Sequence, residues 1–209
     1  MHHGIEPLPE SNPPNYKVER SKRISRVGDY LHANVIPAVQ KRFAKGFHLE
    51  IGCGHGHWLS SFARQDPNKV FVGIDLISKR IRKSELKKNR HSLDNLFFLK
   101  VEASELLLSI PEELIILSTY IMFPDPWPKK RHHKNRLIQP GFLESLAKVS
   151  SNKSKLYFRT DHNDYFEWTQ STINLSTHWK LVEPHWPHES CSFFQDLFET
   201  AHTCCATVT

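Results

Sequence analysis

Six short runs, almost continuously apolar and rich in β-branched or aromatic residues, recur along the chain with mixed segments of helical length between them. They are FHLEIGC (47–53), KVFVGID (69–75), NLFFLKVE (95–102), LIILSTYIMF (114–123), KLYFRTD (155–161) and, with weaker character, HWKLVEP (178–184). Strands that do not alternate apolar with polar residues are covered on both faces, which is how parallel sheets are built. Strand, helix, strand in repetition predicts an α/β fold: a doubly wound, mostly parallel sheet with helices on both faces. Between the strands, Pro140 sits at a first helical position, and Asp161 or Asn163 is placed to cap a helix through 165–173.

At the N-terminus, Pro7, Pro9, Pro13 and Pro14 predict a flexible tail over 1–19, leaving 20–209 as one domain with a basic N-terminal arm. An apolar stripe at Val27, Tyr30, Leu31, Val35, Val39 and Phe43, interrupted by Pro37, predicts one kinked helix or two short ones. The final stretch, 199–209, carries only a weak strand signal. With 39% hydrophobic and 24% charged residues in 209, one globular core is expected. No apolar run approaches the roughly 20 residues of a membrane span, and the N-terminus has no signal-like apolar stretch, so a soluble, cytoplasmic protein is expected. Cys53, Cys191, Cys204 and Cys205 form no CxxC pair, so they are read as free thiols with no metal bound.

The net charge of +6 is unevenly placed. Lys and Arg crowd 17–26, 79–90 and 129–136, and none follows Lys180. One-sided positive charge is the footprint of a polyphosphate partner.

In a doubly wound sheet ligands sit at the carboxyl ends of the strands. The first predicted strand ends in LEIGCGHG, where Gly52, Gly54 and Gly56 let the chain turn tightly beside a ligand. Glu50, inside the strand, would repel a pyrophosphate but not a donor with a positive head such as S-adenosylmethionine. Asp75 ends the second strand, placed for ribose hydroxyls, and Glu102 the third, followed by Ala103 on the adenine side. The fourth runs into FPDPWP. Phe123, Asp125 and Trp127 each precede a proline, which predicts an extended, stiff strip presenting Asp125 as a preorganised carboxylate and Trp127 as a stacking face.

LEIGCGHG, FVGID, FPDPWPKKRHHKNR and YFRTD, in this order, resemble the tRNA (guanine-N7-)-methyltransferase family of the Rossmann-like class I methyltransferases over 20–198. The resemblance implies methylation of N7 of guanosine 46 in the tRNA variable loop, with S-adenosyl-L-methionine as donor and S-adenosyl-L-homocysteine as product. It places Glu50, Asp75, Glu102 and Asp125 on the cofactor beside the glycines, makes Asp125 catalytic, and sets Lys129 and Asp161 on the substrate. A family motif of the form Thr-x-(Tyr/Phe)-Glu aligns with Ser192 to Gln195, where Gln195 replaces the carboxylate; Glu102 stands where the family usually has Asp. Arg20, Arg23, Arg26, Lys130, Arg131, Lys134 and Arg136 would then hold tRNA phosphates, in a monomer or alternatively a homodimer. Two other readings stay open: a tRNA-binding module without catalysis, and a nicotinamide-dependent oxidoreductase, which the GxGxG spacing and Glu50 disfavour.

Overall fold

The computed structural model describes residues 14–189 and 201–209. All six apolar runs become strands: β1 (Phe47–Ile51), β2 (Phe71–Asp75), β3 (Leu96–Lys100), β4 (Ile116–Met122), β5 (Ser150–Thr160) and β6 (Trp179–Val182). Every residue of β2 is buried, as a continuous apolar run requires. A seventh strand, β7 (His202–Val208), comes from the stretch whose sequence signal is weak.

The seven strands form one sheet in the order β3-β2-β1-β4-β5-β7-β6. β1 pairs in parallel with β2 and β4, and the parallel pairing continues outward to β3 and β5. β7 is antiparallel to both β5 and β6, with Phe158 opposite Cys204 and Leu181 opposite Ala206. The chain reverses its direction of sheet growth between β1 and β4, so the crevice for a ligand opens above their carboxyl ends.

Among the described residues, seven α-helices connect and flank these strands: α1 (Pro14–Tyr30), α2 (Ile36–Lys41), α3 (His57–Gln65), α4 (Ser78–Arg90), α5 (Ala103–Leu107), α6 (Pro140–Lys148) and α7 (Asn163–Asn174). One face of the sheet packs Leu49, Val72, Leu99 and Phe158 against Leu31 and Val35 of the N-terminal arm, Leu106 of α5, Leu143 of α6 and Tyr165 of α7. Its other face packs Phe71, Phe98, Tyr120 and Tyr157 against Trp58, Leu59 and Phe62 of α3, with Ile81 of α4 beside them. Layers on both faces are what the strand pattern predicts. Pro140 occupies the first turn of α6 as expected. α7 differs from expectation: its cap position is His162, no side chain caps it, and Asn163 is its first residue.

The N-terminal arm is more ordered than its prolines suggest. α1 starts at Pro14, so residues 14–19, assigned to a tail by the sequence, are helical. A proline in the first helical turn loses no hydrogen bond, and α1 is tied down by Arg23, whose guanidinium forks onto Glu105 of α5 at 2.7 and 3.1 Å. Between α1 and α2 the chain makes a π-helical turn, Leu31–Val35, with the Ile36 N–H reaching back to the Leu31 carbonyl. Pro37 has no N–H and its ring crowds the preceding turn; the wider π turn ahead of it absorbs that mismatch.

Candidate functional site

At the end of β1 the chain turns through Gly52, Gly54 and Gly56, whose φ values of 79°, 55° and 67° lie in the left-handed region. The Gly52 and Cys53 N–H groups both donate to the Ile74 carbonyl, at 2.8 and 2.9 Å, which ties this turn to the end of β2. Gly56 has a further requirement: a Cβ there would lie 2.6 Å from Phe98 and 2.9 Å from Ser84, so it lets α3 start hard against α4 and β3.

Asp75 is buried beneath this loop and accepts N–H bonds from Gly54 at 3.1 Å and Ile77 at 2.8 Å, with the Arg80 guanidinium at 3.4 Å. Its carboxylate therefore holds the shape of the glycine turn. Glu50, on the central strand, is 4% exposed, and its Oε2 has no hydrogen-bond partner. Burial, and then the neighbouring charge of Asp75, push its carboxyl up to about 8. An unpartnered buried carboxyl facing a cleft is costly alone and suits a cationic guest.

At the end of β4 the structure corrects the sequence reading. Phe123 and Trp127 have φ of 49° and 45°, so they are left-handed rather than extended. An aromatic residue held there before a proline costs on the order of 1–3 kcal/mol and persists only when its surroundings over-determine it. Two contacts do so: the Phe123 N–H donates to the Arg159 carbonyl at 2.8 Å, and Arg136 Nε donates to the Pro126 carbonyl at 2.9 Å. The strip is stiff, but the stiffness comes from these tethers as well as from its prolines. Asp125 is exposed between them.

Arg136 is also a correction. It was expected on tRNA phosphates, yet it is 2% exposed. Its guanidinium pairs with Asp164 of α7 and lies over the rings of Tyr165 and Trp168, at 4.9 and 5.3 Å. The bond to Arg136 holds the Asp164 carboxyl below its ordinary range. Arg136 thus fastens the FPDPWP strip to α7. Arg136→Met keeps the stem and removes the fork, and is expected to destabilise the fold by about 2–4 kcal/mol. Urea unfolding checks this, and an unchanged midpoint would show that the fork fastens nothing.

Above the ends of β1 and β4 lies a cleft of about 530 Å³. Of the residues expected at a site, Glu50, Gly52, Gly54, Asp125 and Asp161 line it. Gly56, Asp75, Glu102 and Lys129 are not among the lining residues. Glu102 is exposed at the N-cap position of α5, accepting from Ser104 Oγ at 3.0 Å. Lys129 is exposed at the head of a 3₁₀ turn, Lys130–Asn135, on which Lys130, Arg131 and Lys134 are exposed as well. Arg20 and Arg23 are drawn toward Glu105, Arg20 at 3.9 Å and Arg23 at 2.7 Å, whereas Arg26 is exposed. Ser192, Gln195 and Cys191 lie outside the described residues. The other three cysteines are free and buried.

The cleft also contains a pair the sequence reading passed over. Arg159, at the end of β5, grips Glu189 at 2.9 and 3.3 Å and lies 4.0 Å over the Trp186 ring. Attention to every strand-terminal charge would have found Arg159; Glu189 has no local signal. Among the described residues no cluster of His, Cys, Asp or Glu is placed to hold a metal, and no helix is long and apolar enough to cross a membrane.

Known proteins resemble this chain in sequence and in fold. A family model described as "Putative methyltransferase" matches residues 44–196. A tRNA (guanine-N(7)-)-methyltransferase of Prochlorococcus marinus (strain AS9601) is 32% identical over 154 residues, 71% of this chain and 74% of that protein. A protein of the same name from Mycoplasmopsis pulmonis is 35% identical over 147 residues, 67% of this chain and 68% of its own length. One from Leptospira interrogans serogroup Icterohaemorrhagiae serovar copenhageni is 40% identical over 141 residues, 65% of each chain. Among solved structures, TrmN from Thermus thermophilus superposes with a TM-score of 0.57 at 13% identity, covering 83% of this chain and 47% of that one. The aminoglycoside resistance methyltransferase NpmB1 gives 0.55 at 11%, covering 82% and 92%. At such identities the structures speak to the fold, a Rossmann-like methyltransferase sheet. The relatives in sequence speak to more, and the family model takes in both the glycine turn and the FPDPWP strip: the chain belongs to the tRNA (guanine-N(7)-)-methyltransferase family.

Proposed function

We propose that the protein transfers a methyl group from S-adenosyl-L-methionine to N7 of a guanine in tRNA, guanosine 46 of the variable loop, leaving 7-methylguanosine and S-adenosyl-L-homocysteine. The observation that carries this reading is the unpartnered, buried Glu50 oxygen in the same cleft that presents Asp125. A donor with an ammonium group satisfies Glu50 by a charge-assisted hydrogen bond. Gly52 and Gly54, without side chains, let the backbone approach it, and Asp75 keeps their turn in place. The donor, when bound, supplies a methyl carbon on a positively charged sulfur.

Guanine N7 already carries a lone pair, so no general base is needed there. The N7–carbon bond forms as the carbon–sulfur bond breaks, and the sulfur keeps that electron pair. The purine gains positive charge, which strengthens its N1 and N2 protons as donors. Asp125, fixed by the tethered strip, accepts from those donors and orients the ring; its contribution grows as the charge develops. Trp127, 37% exposed on the same strip, offers a face for the base.

Incubation with S-adenosylmethionine labelled in its methyl group and an unmodified tRNA transcript is expected to place the label on guanine N7, and borohydride with aniline then cuts the strand at that nucleotide. A transcript with adenosine at position 46 is expected to stay unlabelled. Label at another atom or another position would overturn the assignment, and no transfer at all would favour a tRNA-binding module without catalysis.

A further inference from the structure

Three segments of the chain are crowded with Lys and Arg, and the structure treats them differently. On α1, Arg23 is taken up by Glu105 and Lys22 by Glu19. Arg136 is taken up by Asp164. On α4 the situation is reversed. Its 13 residues, SKRIRKSELKKNR, include Lys79, Arg80, Arg82, Lys83, Lys87, Lys88 and Arg90 against one acid, Glu85. Arg80 reaches Asp75 and Lys88 reaches Glu85. Among the described residues, Lys79, Arg82, Lys83, Lys87 and Arg90 have no carboxylate within ion-pair distance.

These charges are aimed. Ser84 is fully buried and donates to the Gly54 carbonyl at 3.1 Å, which fixes the α4 face that meets the glycine turn. Residues three and four positions apart share a helix face, so Arg80 and Lys87 flank Ser84 on that side. Arg80 lines the cleft, and Lys87 Nζ donates to the His55 carbonyl at 3.1 Å. The spacing 80, 83, 87, 90 makes a row about 15 Å long that starts at the cleft and leads away from it. Because α4 follows β2 and the Lys130–Asn135 turn follows β4, the two cationic tracks stand on opposite sides of the β1/β4 crevice.

We infer that the α4 row Arg80, Lys83, Lys87 and Arg90 is a second phosphate track, gripping the tRNA backbone on the flank of the cleft opposite Lys130, Arg131 and Lys134. The inference rests on the proposed tRNA reading and adds to it where the molecule is held. Two opposed tracks fix the direction of an RNA strand across a cleft, which one track cannot do. The neighbours already feel the crowding: burial first, and then Lys83, Arg80 and Lys87, hold His55 below its usual value, and burial followed by Arg90 brings Lys87 to about 8. Phosphate oxygens would relieve that repulsion.

Lys83 and Arg90 are exposed and do not line the cleft, so K83A/R90A is the test. Fluorescence anisotropy with labelled tRNA is read between about 50 and 200 mM salt. The double variant is expected to bind about tenfold more weakly at the low end, and its plot of log affinity against log salt to be shallower by about 2. The KM for tRNA rises while kcat and the affinity for S-adenosylhomocysteine stay as in wild type. Equal affinity and an equal slope would overturn the track. A second measurement uses the wild-type chain alone: Lys83 is expected to acetylate more slowly when tRNA is bound, and unchanged labelling would count equally against the track. The two readings fail separately. Full methylation with K83A/R90A binding like wild type removes the track and keeps the function; loss of binding in K83A/R90A without any 7-methylguanosine from wild type keeps the track and removes the function.

Discussion

Asp125→Asn is expected to lower turnover on tRNA by about 10²–10³-fold, the usual cost of removing one group aimed at developing charge. Asparagine keeps the size and shape of the side chain and leaves an amide oxygen as acceptor, so what it deletes is the negative charge. The strip that carries it is fixed by Phe123, Trp127 and the Arg136 tether, none of which the substitution touches. Its effect should therefore fall on kcat, with the fold and tRNA affinity unchanged. Asp125→Glu retains the charge but moves it outward by one methylene; it should recover only part of the rate, because orientation matters as much as sign. Wild-type turnover in Asp125→Asn, with the product S-adenosylhomocysteine still bound, would remove Asp125 from the chemistry.

The second large effect belongs to Glu50→Gln. Losing the buried carboxylate from a charge-assisted contact should weaken S-adenosylhomocysteine binding by about 30-fold or more. The proton inventory gives a sharper readout. With Glu50 near 8 in the free protein, most molecules at pH 7 carry a proton there. An arriving ammonium favours the ionised form, so binding at pH 7 should release close to one proton. Calorimetry in two buffers of different ionisation enthalpy measures that release, and Glu50→Gln should abolish it.

The same shift has a consequence for stability. Glu50 is raised above its unfolded value of 4.5, so the folded chain holds this proton more tightly than the unfolded one. Its contribution is fully present below about 4.5 and is lost as pH rises from there through about 8. Wild type without ligand should therefore lose on the order of a few kcal/mol across that window, and Glu50→Gln should not. Parallel pH profiles of the melting temperature in the two proteins would contradict this.

Much of the fold was legible because burial on both faces leaves a mark on composition. Runs such as KVFVGID cannot be anything but interior, and their rhythm dictates the layered sheet. β7 was not legible, since HTCCATV has modest strand propensity and is recruited by partners far away in sequence: Phe158 pairs with Cys204 and Trp179 with Val208. The site divides in the same way. Glu50, the glycine turn and Asp125 are local to strand ends and were found there. The backbone of Phe123 and Trp127 was misjudged because the rule for residues before proline describes an unconstrained chain, and here distant groups hold the strip elsewhere. Arg136 was misjudged because a run of cations does not say which one turns inward. Asp164, Tyr165 and Trp168, spaced to receive it on α7, become a signal only once α7 and the strip are side by side.

β7 follows every other described strand in sequence, yet it lies inside the sheet rather than at its rim. β6 is made earlier, yet among the described residues its strand partner is β7 alone, so its ladder must wait during synthesis until 202–208 arrive and slot between it and β5. A chain interrupted before His202 would keep the cleft's β1 and β4 while presenting β5 as a bare edge, an open template for another strand. The order in which this sheet is closed thus runs against the order in which it is written: the strands beneath the cleft can pair first, and the far border closes only when 202–208 arrive.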